Sequence, residues 1–168
     1  MKTEVIGKDR LPFFKDLILP SVYEELKRFP GDPETEYICL AASQEDPEGP
    51  ASALIAQMED DGDLNVLSLF TLPEHRRKGL ASFLIGRLLN AALGLFQWGP
   101  EETEAGIFLK TLYRLPPGAE AAYDAFLKKN GFTDFYLLDE DRQYRTWCAV
   151  GEVRFLRQQG LKGSAPEN

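Results

Sequence analysis

The chain has 168 residues, 43% of them hydrophobic and 27% charged, with a formal charge of −8. That is the size of one self-supporting domain and too apolar for intrinsic disorder; no apolar run approaches the ~20 residues of a membrane-crossing helix, and MKTEVIGKDR lacks a signal-peptide core. The expected location is therefore the cytoplasm, with neither membrane nor nucleic acid as partner, and the acid excess mildly favours a cationic partner such as an amine.

Met1 to Ile6 is a short candidate strand, followed by an amphipathic helical region from Lys8 to Phe29 that is interrupted at Pro20, where Ser21 is positioned to cap a second helix. Pro30-Gly31-Asp32-Pro33 is a turn cluster. Glu36 to Ala42 and Ala51 to Met58 then read as paired strands around a polar loop, Gln44 to Pro50. Glu59 to Asp63 turns into the next strand, Leu64 to Leu72, with Asp61-Gly62 the chemistry of a tight hairpin. Cys39 and Cys148 both lie in apolar, strand-like runs without a C-x-x-C pair. With one histidine in the chain, they read as buried reduced thiols in preference to a disulfide, a nucleophile or a metal site.

The stretch from Leu64 to Ala92 organises the rest. Pro73 ends its strand, Glu74 to Lys78 brings three consecutive cations, and Leu80, Leu84, Leu88, Ala91 and Leu95 recur at helical spacing. A helix N-terminus leaves N–H groups unpaired and carries about half a positive charge, so cations delivered there suit a phosphate. Small residues at Gly79 and Ala81 let a pyrophosphate approach the backbone. The plainer alternative is a solvated turn ahead of an ordinary packed helix. A nucleotide-binding loop is disfavoured because the Gly-x-x-x-x-Gly-Lys-Ser/Thr spacing is absent.

The helix ends near Leu93 to Trp98, at Gly94 or at Gly99-Pro100, an acidic segment from Glu101 to Glu104 follows, and Ala105 to Tyr113 is a strand closed by Pro116-Pro117-Gly118. Ala119 to Asn130 is a compact helix ending on Gly131-Phe132, a glycine cap with an apolar anchor. Phe135 to Leu138 and Tyr144 to Val150 are the last strands, joined by Asp139-Glu140-Asp141-Arg142. Residues 1–150 are thus expected to form one domain, and 151–168 a polar, partly frayed extension.

Arg76-x-x-Gly79-x-Ala81, preceded by a strand and Pro73-Glu74, resembles the acyl-CoA-binding signature of the GNAT N-acetyltransferase superfamily, and Lys129-Asn130-Gly131-Phe132 resembles the Lys-x-Gly-Phe that commonly ends its last helix. The resemblance spans about Thr3 to Val150. It implies an α/β (α+β) fold with a mixed, mostly antiparallel sheet of six or seven strands and helices on both faces. It implies acetyl-CoA as cosubstrate with no metal, direct transfer to an amine, and allows a homodimer. Donor binding would fall to Phe70, Thr71 and Leu72, whose N–H groups would face the thioester, and to Arg76, Arg77, Lys78, Gly79, Leu80, Ala81 and Ser82.

Acetyl transfer to an amine of pKa near 10.4 first removes a proton, about 3.4 pK units or roughly 4.6 kcal/mol at neutral pH. A carboxylate or water chain should accept that proton, a donor should stabilise the oxyanion, and an acid should protonate the departing thiolate. Here the chain departs from the family. Its base glutamate aligns with Asn65, which can orient a water but cannot take a proton, and Glu59, Asp60, Asp61 and Asp63 are the nearest carboxylates. For a charge cluster in a hairpin turn, a solvated loop is the reading preferred over a catalytic one. The family's acid tyrosine aligns with Leu127, and its asparagine before that helix with Glu120. Tyr123, one turn earlier on the same face, is the candidate acid, with core or groove packing as the alternative. Tyr113 is the best alternative donor, and His75 reads as a surface or phosphate-contacting residue. These departures make a non-catalytic acyl-CoA sensor or interaction module the rival reading.

Overall fold

The computed structural model describes residues 1–29, 36–44, 49–59, 62–95 and 108–152, with only the backbone for 92–95. The expected mixed class is observed: seven strands of a mostly antiparallel sheet together with helices. The chain forms two compact units, Met1–Met58 with Val66–Phe96, and Glu59–Asn65 with Gln97–Asn168.

In the first unit the strands run in the order β1 (Lys2–Val5), β2 (Tyr37–Ser43), β3 (Ser52–Met58), β4 (Leu64–Thr71), the last entering this unit at Val66. β1 pairs antiparallel with β2, Lys2 opposite Ser43, and β2 with β3, Tyr37 opposite Gln57. Both β2 and β3 are buried on both faces. Tyr37, Cys39, Ala41, Ala53 and Ile55 pack in one core with Phe14, Leu17, Val22 and Leu26 from the segment after β1. The alternate residues Ile38, Leu40, Leu54 and Ala56 are buried on the opposite face, and helix α2 (Leu80–Leu95) packs against these two strands. Leu80, Leu84 and Leu88 of its expected stripe are buried to 1% exposure or less, each worth roughly 1.5–3 kcal/mol. Ala91 is half-buried. No described helix is long and apolar enough to cross a membrane.

The segment after β1 differs from expectation. Leu11–Leu17 is a 3₁₀ helix, and α1 (Pro20–Arg28) starts at Pro20 with Leu19 as its cap, so Ser21 lies inside the helix and caps nothing. Proline's fixed φ and missing N–H suit a first helical position, and Leu19 instead donates its N–H to Ser68 Oγ at 3.1 Å. Ser68 on β4 thereby anchors the entry to α1.

The second unit holds β5 (Phe108–Leu115), α3 (Glu120–Lys129), β6 (Asp134–Glu140) and β7 (Arg145–Glu152), with β7 between β5 and β6 and antiparallel to both. β7 runs two residues past Val150, paired along its length from Phe108↔Glu152 to Leu115↔Arg145. The end of α3 is as expected. Gly131 has φ +94°, its N–H reaches Lys128 O at 3.1 Å, and Phe132 N–H reaches Leu127 O at 3.1 Å with both side chains buried, a Schellman closure. Cys39 and Cys148 are free thiols, the first buried and the second half-buried. The expected turn at Pro30 to Pro33, most of the Gln44 to Pro50 loop, Asp60-Asp61, the end of the long helix past Leu95, the acidic segment at Glu101 to Glu104, the start of the strand at Ala105 and the extension beyond Glu152 lie outside the described residues.

Candidate functional site

The first unit brings the expected donor-binding residues together at one end of β4. Leu72 leaves the strand extended, a 3₁₀ turn follows over Pro73–His75, and Arg76, Arg77, Lys78 and Gly79 form an exposed loop into α2. Two of these residues are left-handed: Arg77 with φ +63° and Gly79 with φ +84°. An arginine in that region is held there at a cost of about 1–2 kcal/mol. Phe83 N–H bonds to Gly79 O at 2.9 Å. The N–H groups of Leu80, Ala81 and Ser82 therefore precede the helical ladder, at an end where the first turn carries no acidic side chain. Successive N–H groups in such a turn form an anion-binding concavity.

The cations are tied to their surroundings. Arg76 Nε donates to Thr71 O at 3.2 Å and its guanidinium lies over the Phe70 ring at 5.8 Å, while Lys78 Nζ reaches Gln44 Oε1 at 3.2 Å. His75 donates its backbone N–H to Leu72 O at 2.9 Å and buries Nδ1 without a partner among the described residues. Of the three expected strand donors, Leu72 N–H is already bonded to Ala51 O at 2.9 Å, on the β3 side. Strand alternation turns the N–H of Thr71 to the opposite edge.

The second unit holds the candidate catalytic residues in two separate clusters. In the first, Asn65 Nδ2 donates to Glu59 Oε1 at 3.4 Å, and Lys110 Nζ reaches Glu59 Oε2 at 3.1 Å and Asp63 Oδ2 at 2.7 Å. Asp63 Oδ1 accepts Phe108 N–H at 2.9 Å. Both carboxylates thus have both oxygens engaged, and Lys110 titrates well above the ordinary lysine range, chiefly through its hydrogen bond to Asp63. The loop itself closes by Glu59 N–H to Asp63 O at 2.8 Å and Gly62 N–H to Glu59 O at 2.9 Å, with Gly62 at φ +85°.

In the second cluster Tyr123 is half-buried on α3, its ring 4.7 Å from Tyr113 and 6.0 Å from Phe126, and burial raises its pKa above the usual tyrosine value. The Tyr113 hydroxyl donates to Asp124 Oδ1 at 2.6 Å. Burial and then that bond push its pKa up. Leu127, one turn after Tyr123, is buried to 1%. Glu120 is also committed: Oε2 accepts Gly118 N–H at 2.6 Å and Oε1 accepts Arg145 at 3.2 Å. Backbone N–H bonds, its own first, hold its carboxyl below the usual range. Sequence reasoning did not single out Ser52, Gln44, Lys110 or Asp124, because the partners they meet, Thr71, Lys78, Glu59 and Tyr113, are distant in sequence.

No family model and no curated protein matches this chain. Solved structures do. An IAA acetyltransferase from Bacillus cereus ATCC 14579 superposes with a TM-score of 0.60 at 12% identity, covering 90% of this chain and 98% of its own. The ribosomal-protein-S18-alanine N-acetyltransferase from Escherichia coli gives 0.56 at 16%, covering 90% and 93%. An aminoglycoside 6′-N-acetyltransferase complexed with coenzyme A gives 0.60 at 14%, covering 91% and 97%. At these identities the likeness is one of architecture, and on it the chain has the fold of the GNAT acetyltransferases.

Proposed function

We propose that the chain moves an acetyl group from acetyl-CoA directly to a primary amine of a small molecule or peptide. The observation that carries this reading is the turn ahead of α2, where Arg77 and Gly79 are both left-handed and the first helical N–H groups precede the ladder, within an acetyltransferase fold. Residues Arg76 to Ser82 would hold the pyrophosphate, and the β4 end, Phe70 to Leu72, the pantetheine arm. The coenzyme A in the complexed aminoglycoside acetyltransferase supports the choice of cosubstrate.

In this proposal the amine attacks the thioester carbonyl and gives up its proton, the Thr71 N–H stabilises the oxyanion, and the C–S bond then breaks with protonation of the thiolate. The groups the sequence offers for the two proton transfers are Glu59 with Asn65 as acceptor and Tyr123 as acid. No covalent enzyme intermediate is required. The experiment is to incubate the protein with acetyl-CoA and a panel of polyamines, basic peptides and amino-sugars while following thiol release. Amine-dependent release supports transfer.

A second reading, an acyl-CoA-binding sensor without turnover, is favoured by two observations. Both oxygens of Glu59 are taken by Asn65 and Lys110, and a buried leucine occupies the family's tyrosine position. Tight calorimetric binding of CoA with no thiol release across the panel would select it.

A further inference from the structure

Ser52 is a serine with 0% exposure at the start of β3, and its hydroxyl lies 2.8 Å from Phe70 O and 2.8 Å from Thr71 Oγ1. A hydroxyl has one proton, and here it goes to the Phe70 carbonyl, so the Thr71 hydroxyl must be the donor in the second contact. On the other edge of β4 the Thr71 carbonyl accepts Arg76 Nε at 3.2 Å. Residues 70 and 71 are therefore held by three bonds beyond the strand ladder, two to Ser52 from one side and one to Arg76 from the other. Each is worth about 0.5–1.5 kcal/mol, and the charged one somewhat more. Left without partners, the buried polar atoms would make the same strand end costly to keep in place.

We infer that Ser52 is a positioning residue for the acyl group: through Phe70 and Thr71 it sets the direction of the Thr71 N–H, the group that would bond the thioester oxygen. This rests on the acyl-CoA reading above. An N–H aimed at a developing oxyanion contributes only while it is held within a few tenths of an ångström, which is why a buried clamp behind it matters. Alanine at position 52 takes away both hydroxyl contacts. Valine at position 71 removes one while keeping the side-chain shape, so its effect does not depend on tolerance of a change in the core.

The test uses the full chain and acetyl-CoA labelled with ¹³C at the thioester carbonyl. Binding should move the carbon signal downfield as the N–H polarises the carbonyl. Ser52→Ala and Thr71→Val should each lose about half of that displacement, the double variant no more than Ser52→Ala alone, and Ser52→Ala should bind unlabelled CoA within about twofold of the parent. A buried serine with a purely structural role would leave the carbonyl signal where it was. Full displacement retained in both single variants overturns the proposal while the acyl-CoA reading stands. Failure of the unaltered chain to bind CoA overturns both.

Discussion

Gly79 combines a φ of +84° with a place one residue ahead of α2, and a Cβ built there would lie 3.4 Å from the Met1 Cε. That contact is ordinary van der Waals distance, so the conformation rather than crowding is what a side chain would resist. Replacing Gly79 with valine is expected to reduce CoA affinity by at least about tenfold, because a β-branched residue must leave the left-handed region and re-aim the N–H groups behind it. Circular dichroism should stay unchanged, since the residue is exposed. Unchanged affinity by calorimetry would remove the pyrophosphate from this turn. Tyr123→Phe should lower turnover by about 10²-fold or more with little effect on CoA affinity, as expected of a general acid. The pH profile offers a separate check. An acid must be protonated to act, and burial raises the Tyr123 pKa, so any loss of rate due to its ionisation must fall above the ordinary tyrosine value. An alkaline limb below about pH 10 that persists in Tyr123→Phe assigns the limb elsewhere.

At the scale of elements, the close of α3 is the most sharply determined joint in the second unit. Gly131 at φ +94° donates one Schellman bond, to Lys128 O, and turns the chain so that Phe132 N–H donates the other, to Leu127 O. Gly131→Ala should therefore destabilise the chain by about 1–2 kcal/mol, read as a lower urea midpoint with an unchanged slope. A change within 0.3 kcal/mol would mean that the cap contributes little. This joint was legible in the sequence because Lys-Asn-Gly-Phe states its geometry locally. The same holds for Pro73 as the end of β4 and for the Leu80, Leu84, Leu88 stripe, where periodicity and a breaker coincide. The cap of α1 was misread because Ser21 has the right chemistry two positions too late: Pro20 takes the first helical place, and Leu19 before it finds a partner on β4, 49 residues away. The candidate site divides along the same line. Its turn is written in consecutive residues, whereas the partners of Glu59, Tyr113 and Thr71 arrive from Lys110, Asp124 and Ser52, and no local pattern announces a contact that depends on strand register.

For the molecule as a whole, the two units differ in how their folded state is coupled to protons. Among the described residues the first unit rests on an apolar core, and its ion pairs, Arg10 with Glu4 and Glu24 with Lys27 and Arg28, lie on the surface, where such pairs contribute little. In the second unit Glu120 with Arg145 and Asp63 with Lys110 are more buried pairs, and Glu59 joins Lys110, while Glu140 with Arg145 and Asp141 with Arg114 are as exposed as the pairs of the first unit. Asp141 also accepts the N–H groups of Gln143 and Tyr144, both at 2.7 Å, and these bonds first, then Arg114, hold its carboxyl below the usual range. Glu120 is depressed in the same sense. A carboxyl whose folded pKa lies below its unfolded value adds stability above the unfolded value, near 4, and loses it as pH falls through the folded one. Lys110 has the opposite sign: its raised pKa contributes fully below the unfolded lysine value and is lost only in strong alkali, so it leaves the acid side unaffected. Acid should therefore loosen the second unit first. Amide exchange followed by mass spectrometry at about pH 3 should show β6, β7 and their connecting turn exchanging faster relative to neutral pH than β2, β3 and α2, after correction for intrinsic rates. Replacing Asp141 with asparagine should make the β6–β7 turn equally fast at both pH values, since asparagine keeps an acceptor oxygen but has no proton to gain. Equal acid sensitivity of both units would show instead that protonation acts through net charge, which rises together over the whole chain, and not through these particular joints.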